Sequence, residues 1–369
     1  MGSLLRPPAL KAMFQSVYAG HDSHVAALLT ESERQALVEL TRLADVAIRE
    51  AVARQIDIGL DVVTDGEMRR AHYVNSLFDG LDGLAESTTP EYFAGDDGVA
   101  PPPEPIVQRR PRVLHNPLVQ ELEFVRSFTA YPCKVTIQTP SSFLFPAARY
   151  AEGAYATRGA FVDDVVGVVR ELVAGAIAAG AAYIQFDYPL YPAMADPAKR
   201  QELLDGSSDG FDVIFSNAIA ADNAVLEGIP AGVTTALHVC RGNFRSHWWA
   251  QGSLESVAER MFNELRHDRF LVEWEDTARE GDYSALRFVP PGPTVVMGLV
   301  SSKLDAVESD DVILGRLEEA ATFLPMDQMA ISPQCGFASV WMGNELTEVA
   351  QWRKLELVAR VADRVWERG

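Results

Sequence analysis

Residues 233–240, VTTALHVC, form an apolar, β-branched run that ends in a histidine and a cysteine two positions apart. Continuous apolar runs of this length are typical of strands that are buried on both faces of a parallel sheet. Side chains at positions i and i+2 of a strand point to the same side. His238 and Cys240 are therefore predicted to face together from the carboxyl end of one strand.

Similar apolar runs recur along the chain and alternate with helical stretches. The other predicted strands cover residues 58–64, 134–139, 182–187, 270–274, 294–301 and 328–332. Residues 30–53 illustrate the helical spacing, since they begin with a capping box of Thr30 and Glu33 and repeat apolar residues every three or four positions. This alternation predicts an α/β protein, a (β/α)8 TIM barrel in which residues 1–369 form a single domain. Only seven strands are counted, so the N-terminal stretch MGSLLRPP is expected to supply the first strand or strand end.

One segment interrupts the alternation. Residues 86–112 are rich in proline, glycine and charge, and we interpret them as part of an inserted excursion around residues 86–132 rather than as a linker between domains. An open, doubly wound sheet is the alternative architecture. No G-x-G-x-x-G or P-loop pattern follows a predicted strand, so the usual nucleotide-binding signals of that fold are missing.

Composition narrows the classes of partner. The chain of 369 residues has 32 basic and 52 acidic residues and a formal net charge of −20, which argues against binding to nucleic acid or to an anionic membrane. No uncharged apolar stretch is long enough to span a bilayer. Three cysteines, an odd number, fit a reducing compartment better than a disulfide framework. We expect a cytoplasmic enzyme that acts on a small molecule.

Several groups suited to metal binding fall at predicted strand ends. Cys335 follows the last predicted strand, and Glu273 and Glu275 lie at the end of the strand predicted at 270–274, so these residues join His238 and Cys240 as candidates. Two thiolates, an imidazole and one carboxylate make a plausible zinc set, and barrel active sites lie at the carboxyl ends of the strands. Spacing alone leaves the carboxylate open between Glu273 and Glu275. The alternative is that these are ordinary core residues, which is how we interpret the remaining cysteine, Cys133.

Four stretches carry a resemblance to a known family. LHVCRGNF (237–244), ISPQCGF (331–337), VTDGEMRR (63–70) and YIQFDYP (183–189) resemble the catalytic barrel of cobalamin-independent methionine synthase, and the similarity runs through nearly the whole chain. The resemblance implies an enzyme that transfers a methyl group to the thiol of homocysteine, with a zinc-bound thiolate as nucleophile and methionine as product.

The resemblance also implies which residues form the site. It assigns zinc to His238, Cys240, Cys335 and Glu273 rather than Glu275. It assigns the amino and carboxyl groups of homocysteine to Ser3, Glu67 and Asp187.

The sequence departs from the family at the position of the methyl donor. Full-length members have two barrels with folate between them, whereas one barrel is predicted here. Lys303 stands where the family has a histidine tied to protonating the departing folate, and Tyr188 replaces the glutamate of an Asp–Glu pair. The donor stays open between folate and a corrinoid, including a corrinoid carried by another protein. The departures favour the corrinoid, whose leaving group needs no proton.

Two further functions stay open. One is a related zinc-dependent alkyltransferase that adds another thiol, such as coenzyme M, to an epoxide, with Arg241 and Arg245 near the sulfonate. The other is a metal-free, non-catalytic barrel. The ammonium-binding carboxylate Glu67 favours homocysteine over the sulfonate thiol.

Overall fold

The structure is a computed structural model that describes residues 2–87, 101–146 and 150–366. Its strands are β1 (Leu84–Ala85), β2 (Ile106–Val107), β3 (Val135–Gln138), β4 (Tyr183–Asp187), β5 (Thr234–Val239), β6 (Arg269–Glu273), β7 (Thr294–Val300) and β8 (Met329–Pro333). Its helices are α1 (Pro8–Val17), α2 (Glu31–Ile58), α3 (Asn75–Phe78), α4 (Pro117–Arg126), α5 (Arg158–Ala178), α6 (Tyr191–Ala195), α7 (Pro197–Asp205), α8 (Phe211–Ala224), α9 (Glu255–Glu264), α10 (Thr277–Glu280), α11 (Asp310–Ala320) and α12 (Glu348–Val365).

Six strands form one parallel sheet in chain order, from β3 to β8. Consecutive strands are neighbours, and the connections between them contain helices, as parallel pairing requires. Six of the seven predicted strands are therefore confirmed, and the α/β class with them. Because all six strands run in the same direction, their carboxyl ends meet at one edge, where the candidate site residues lie.

The predicted strand at residues 58–64 is wrong. Helix α2 continues to Ile58 and ends at Gly59, whose φ of 86° is the left-handed conformation of a helix C-cap. Of the predicted strand, only Val63 makes a bridge, parallel to Cys133. The predicted capping box of Thr30 and Glu33 is present at the start of α2 and stabilises this long helix.

The N-terminal segment lies beside the sheet as an extended chain without an assigned strand. The Leu4 amide donates to the Gly66 carbonyl at 3.0 Å, and the Phe337 amide donates to the Ser3 carbonyl at 2.8 Å. Residues 2–4 therefore lie between the loop after α2 and the chain that follows β8. This is the position that the sequence predicted for the first strand end.

The core has an outer and an inner part. Helices pack their apolar faces against the outside of the sheet, where most of the buried hydrophobic residues lie. Inside, Ala236, Leu271 and Val296 from β5, β6 and β7 form a small separate cluster. Among the described residues, no helix is both long enough and apolar enough to cross a bilayer.

The predicted excursion lies only partly within the described residues, because 88–100 fall outside them. On either side of that gap, β1 and β2 pair antiparallel through Leu84 and Val107. Helix α4 then follows, and its N-cap residue Asn116 accepts hydrogen bonds from the Leu118 and Val119 amides.

Candidate metal and substrate site

His238, Cys240 and Cys335 come together at the carboxyl edge of the sheet. One ligand atom of each residue lies within 4.8 Å of the others, and all three residues are buried. His238 and Cys240 follow the predicted i, i+2 pattern at the end of β5, and Cys335 comes two residues after β8. The geometry thus provides three soft or borderline ligand groups in one small volume.

Asp187 fixes the imidazole of His238. Asp187 ends β4 directly beside His238 in the strand register, and its Oδ1 lies 2.9 Å from Nδ1 of the histidine. The other ring nitrogen, Nε2, lies 3.8 Å from Sγ of Cys335. Burial acts to lower the pKa of His238, but Asp187 and Cys335 outweigh it and raise the pKa to about 9. A metal-binding histidine commonly has such a carboxylate on its second nitrogen.

The thiol of Cys335 is held in its protonated form without a cation. Its pKa is raised well above the usual value, first by the neighbouring Cys240 and then by burial, with a further contribution from Glu273. A divalent cation reverses this preference because a coordinating thiol is deprotonated. Metal binding at this cluster would therefore release protons.

Glu273 lies beside the cluster, at the end of β6, with no exposed surface. Its Oε2 lies 3.5 Å from Sγ of Cys335 and accepts the Arg241 amide at 2.7 Å. Its Oε1 accepts from Lys303 at 2.8 Å, Gln334 at 2.6 Å and Arg279 at 3.2 Å. Burial would raise the pKa of Glu273, but Lys303 and Arg279 lower it to about 2. The carboxylate is thus ionised, and Oε2 is the oxygen that faces the cysteine.

Spacing in the sequence did not decide whether Glu273 or Glu275 is the candidate metal ligand, whereas the structure distinguishes the two. Glu275 contacts Nη2 of Arg279 at 2.9 Å, as does Glu280 at 2.6 Å. Glu273, Glu275 and Glu280 form a second acidic group, and all three carboxylates contact Nη2 of Arg279. Glu273 is the member that also reaches Cys335.

The predicted substrate residues lie in the same cleft as the ligand cluster. A solvent-connected cleft of about 670 Å³ is lined by Ser3, Glu67 and Asp187 together with His238, Cys240 and Cys335. Other side chains in its wall are His72, Tyr73, Gln185, Tyr188, Asn243 and Phe244. The sequence had proposed all six as site residues: Ser3, Glu67, Asp187, His238, Cys240 and Cys335.

Glu67 is held in an unusual backbone conformation. Its φ of 54° and the φ of 70° at Gly66 place two consecutive residues in the left-handed region, which only glycine adopts without strain. Arg6 stabilises this loop by donating to the carbonyls of Glu67 at 2.7 Å and Arg70 at 2.8 Å. Burial raises the pKa of Glu67, while Arg70 acts to lower it. A cation that enters the cleft therefore meets a buried carboxyl group whose position is fixed by the backbone.

Arg6 and Gln185 make hydrogen bonds around the cleft that were not predicted from the sequence. Arg6 is buried and also donates to the Ala338 carbonyl at 2.8 Å, so it joins three segments that surround the cleft. Gln185 donates to Asp187 Oδ1 at 2.5 Å. The signal for Gln185 was its position two residues before Asp187, which places both side chains on one face of β4.

Neither arginine proposed for a sulfonate lines the cleft. Arg241 is buried and donates to the Gly252 carbonyl, and Arg245 pairs with Glu345 at 3.2 Å on the surface. Within the described residues, the wall of the cleft contains no lysine or arginine side chain.

These features define an α/β barrel protein with a histidine–cysteine ligand cluster and a carboxylate-lined cleft at the carboxyl ends of its strands. The chain belongs to the family of cobalamin-independent synthases, catalytic domain, whose model matches residues 22–355. The predicted family is thereby confirmed.

Two relatives and two solved structures illustrate the similarity. The Bacillus subtilis (strain 168) proteins YxjH and YxjG, both uncharacterised, are 33% and 32% identical over 99% and 100% of this chain and 93% and 94% of their own lengths. A Listeria monocytogenes structure, provisionally a vitamin-B12-independent methionine synthase, matches with a TM-score of 0.70 and 23% identity over 100% of this chain and 96% of its own. A B12-independent methionine synthase from Shewanella sp. W3-18-1, solved with selenomethionine, matches with a TM-score of 0.72 and 20% identity over 99% of this chain and 96% of its own. The two structures confirm the TIM-barrel fold.

Proposed function

We propose that this chain is a zinc-dependent methyltransferase that moves a methyl group to the thiol of homocysteine and so forms methionine. The observation that carries the proposal is the shared cleft, in which the carboxyl groups of Glu67 and Asp187 face the same space as the cluster of His238, Cys240 and Cys335. Family membership supports methyl transfer, and the Shewanella protein, solved with selenomethionine, is a methionine synthase.

The ligand set fits zinc. Two thiols and an imidazole are the groups that zinc prefers, and Nε2 of His238 lies toward Cys335 because Nδ1 is engaged by Asp187. Glu273 is the proposed fourth ligand through Oε2, since the other oxygen is surrounded by Lys303, Gln334 and Arg279. Zinc, when bound, would lower the pKa of a coordinated thiol so that the sulfur is a thiolate at neutral pH.

The side chains around the cluster would hold the amino acid. Oδ1 of Asp187 is engaged by His238 and Gln185, which leaves Oδ2 to accept the substrate ammonium together with Glu67. The Ser3 hydroxyl accepts the Ala338 amide at 3.3 Å, so its own hydrogen can be donated to the substrate carboxylate. Held in this way, the substrate sulfur forms a bond to the methyl carbon while the bond from methyl to its carrier breaks, and the electron pair leaves with the carrier.

The surroundings of the cleft favour a donor whose leaving group needs no proton. Lys303 stands where the family's histidine is expected, and its ammonium is paired with buried Glu273 rather than turned into the cleft. The described wall also offers no basic side chain for the polyanionic tail of a polyglutamylated folate. A corrinoid, free or carried by another protein, needs no proton on its leaving group. It also lacks the polyglutamate tail that would require basic side chains in the cleft.

Two observations bear on the alternatives. The sulfonate thiol of an alkyltransferase requires a cation in the cleft, and Arg241 and Arg245 make their contacts elsewhere. A barrel that had lost its metal has no need to keep three ligand atoms within 4.8 Å of one another.

The test is thiol methylation by the purified protein, with zinc measured in the same sample. We expect methionine from homocysteine and a methyl donor, loss of turnover after chelation, and recovery when zinc is restored. Coenzyme M with an epoxide serves as the competing reaction. Turnover of that pair in preference to homocysteine would support the alkyltransferase instead.

A further inference from the structure

A line of hydrogen bonds leads from the amino ends of the strands to the ligand cluster at their carboxyl ends. Lys134, just before β3, donates from Nζ to Oε1 of Gln185 at 2.7 Å. Gln185 donates from Nε2 to Oδ1 of Asp187 at 2.5 Å, and the same oxygen lies 2.9 Å from Nδ1 of His238. Four side chains from three neighbouring strands or their ends are thus connected without a gap.

The donors and acceptors of this line can be arranged in only one way. A lysine ammonium only donates and an aspartate carboxylate only accepts, whereas a glutamine amide has one end of each kind. Lys134 therefore requires the oxygen of Gln185 on its side and leaves the NH₂ group for Asp187. Asp187 in turn requires a hydrogen of His238 on Nδ1, and Nε2 then lies 3.3 Å from the Gln334 carbonyl oxygen and 3.8 Å from Sγ of Cys335.

Lys134 lies at the end of this line that is remote from the cleft. It borders a second cavity, open to solvent, at the amino ends of the strands, together with Tyr183 and Arg269. Its ammonium lies 5.8 Å from the centre of the Tyr183 ring. Burial lowers the pKa of Lys134 to about 8, while Asp187 and Glu67 oppose the shift, so the ammonium form prevails at neutral pH.

We propose that Lys134 is a positioning residue that sets the hydrogen-bonding direction of His238 from the opposite end of the barrel, acting through Gln185 and Asp187. Without its ammonium, the Gln185 amide is free to turn and to present its oxygen to Asp187, which repels that carboxylate. Asp187 then loses the donor that Gln185 supplies, and the imidazole loses its fixed orientation. The part that concerns metal rests on the proposed function, whereas the orientation of His238 does not.

The matched variants are Lys134→Met, Lys134→Arg and Arg269→Met. Methionine has a similar length but cannot donate, and arginine restores a donor. Arg269 borders the same cavity, and its guanidinium lies 5.5 Å from the same Tyr183 ring, but it does not belong to the line. Lys134→Glu reverses the polarity, because an acceptor at this position draws the NH₂ group of Gln185 away from Asp187.

The first measurement needs no metal. A proton between a buried imidazole Nδ1 and a carboxylate resonates far downfield in a proton NMR spectrum, and the signal is assigned by its loss in Asp187→Ala. We expect this signal in the parent, Lys134→Arg and Arg269→Met, and its loss or a clear upfield shift in Lys134→Met and Lys134→Glu. An unchanged signal in folded Lys134→Met would overturn the proposal.

The second measurement is the affinity for Co²⁺, followed by thiolate-to-metal absorption. Loss of a residue that supports a metal ligand typically weakens metal binding by about 10- to 100-fold. We expect at least about a tenfold loss in Lys134→Met, a larger loss in Lys134→Glu, and parental affinity in Arg269→Met. Equal losses in Lys134→Met and Arg269→Met would indicate a general effect of the cavity and contradict the proposal. A parent that binds no Co²⁺ would count against the proposed function, while the NMR signal would still decide the role of Lys134. Thermal unfolding of each metal-free variant checks that the chain is folded, and Gln185→Leu replaces any variant that is not, with loss of the same signal expected.

Discussion

Sγ of Cys335 lies 3.5 Å from Oε2 of Glu273, although β7 separates the strands to which the two residues are attached. The contact therefore crosses the mouth of the barrel instead of following the sheet. His238 and Cys240 reach the same point from the other side of β6. A cation at this point would be bound by residues at three strand ends, at the edge of the barrel. Its removal should therefore change the cleft more than the fold.

The first prediction concerns metal content. Cys240→Ser and Cys335→Ser should each lose zinc, while the parent holds about one zinc per chain. The fold should remain, because the ligands lie at the edge of the barrel. Elemental analysis after dialysis and circular dichroism measure the two properties.

Two controls accompany these variants. Cys133→Ser replaces the cysteine that lies outside the cluster, and Glu275→Gln replaces the acid that contacts Arg279 instead of Cys335. Both should retain zinc. Retention of zinc by both cluster variants would show that the assignment is wrong.

The second prediction concerns the substrate ammonium. Glu67→Gln should raise KM for homocysteine and retain the metal, because Glu67 lines the cleft without contacting the cluster. Loss of one charged hydrogen bond costs about 1.5–3 kcal/mol, which corresponds to roughly ten- to more than a hundredfold. A thiol substrate without an amino group is the control, and the parent and the variant should use it equally. If KM for homocysteine is unchanged, Glu67 does not bind the ammonium.

The third prediction separates Asp187 from Glu67. Because Asp187 also holds Nδ1 of His238, Asp187→Asn should raise KM for homocysteine and weaken metal binding as well. The metal effect should be about 10- to 100-fold. A chelator competition titration of both variants measures the difference, and equal metal affinities in Glu67→Gln and Asp187→Asn would contradict it.

The fourth prediction concerns acid stability. His267 is buried between the rings of Phe186 and Phe270, and neither of its ring nitrogens has a hydrogen-bond partner in the described structure. Burial lowers its pKa to about 3. The unfolded chain therefore binds more protons between pH 6.5 and pH 3, and stability falls as the pH is lowered through this window.

His267→Leu should reduce this loss. Between pH 7 and pH 4.5, the free energy of unfolding of the variant should fall by about 2–3 kcal/mol less than that of the parent. Urea unfolding at the two pH values measures the difference. Exposed His115 gives the control, His115→Leu, which should keep the parental acid dependence; the idea fails if His267→Leu keeps it too.

The fifth prediction concerns the donor. Methylcobalamin should support faster methionine formation than polyglutamylated methyl-folate at saturating homocysteine, since Lys303 is paired with Glu273 and is a poor acid at neutral pH. Product analysis by mass spectrometry measures both rates. Faster turnover with the folate would mean that another element protonates the departing folate and replaces the second barrel against which folate binds.

Sequence reasoning succeeded where a regular pattern encodes the structure. Apolar runs with helices between them gave six strands of the sheet, and the two-residue spacing of His238 and Cys240 predicted that they face together. The strand at 58–64 was wrong because its apolar residues equally suit the end of a helix, and the capped helix α2 extends through Ile58. Periodicity alone does not distinguish these outcomes over a few residues.

Other contacts were beyond local patterns. Arg6 meets Glu67 and Ala338 only because the chain folds back on itself, and nothing near Arg6 in the sequence indicates those partners. The choice between Glu273 and Glu275 likewise depends on where Arg279 lies in space. Resemblance supplied Ser3, Glu67 and Asp187 as substrate residues. The structure places them in one cleft, and their roles stay predictions.

The contacts of the N-terminal segment have a consequence for synthesis on the ribosome. Ser3 accepts the amide of Ala338, and the Leu5 amide donates to Gln351 at 2.7 Å. Formation of this wall of the cleft must therefore wait until more than 330 further residues have been synthesised. At about 5–20 residues per second, that wait lasts roughly 20 to 70 s. During this time the nascent chain exposes Leu4 and Leu5, which are buried in the finished protein. The segment therefore stays exposed until its distant partners are made, and the cleft can close only after the last helix has emerged.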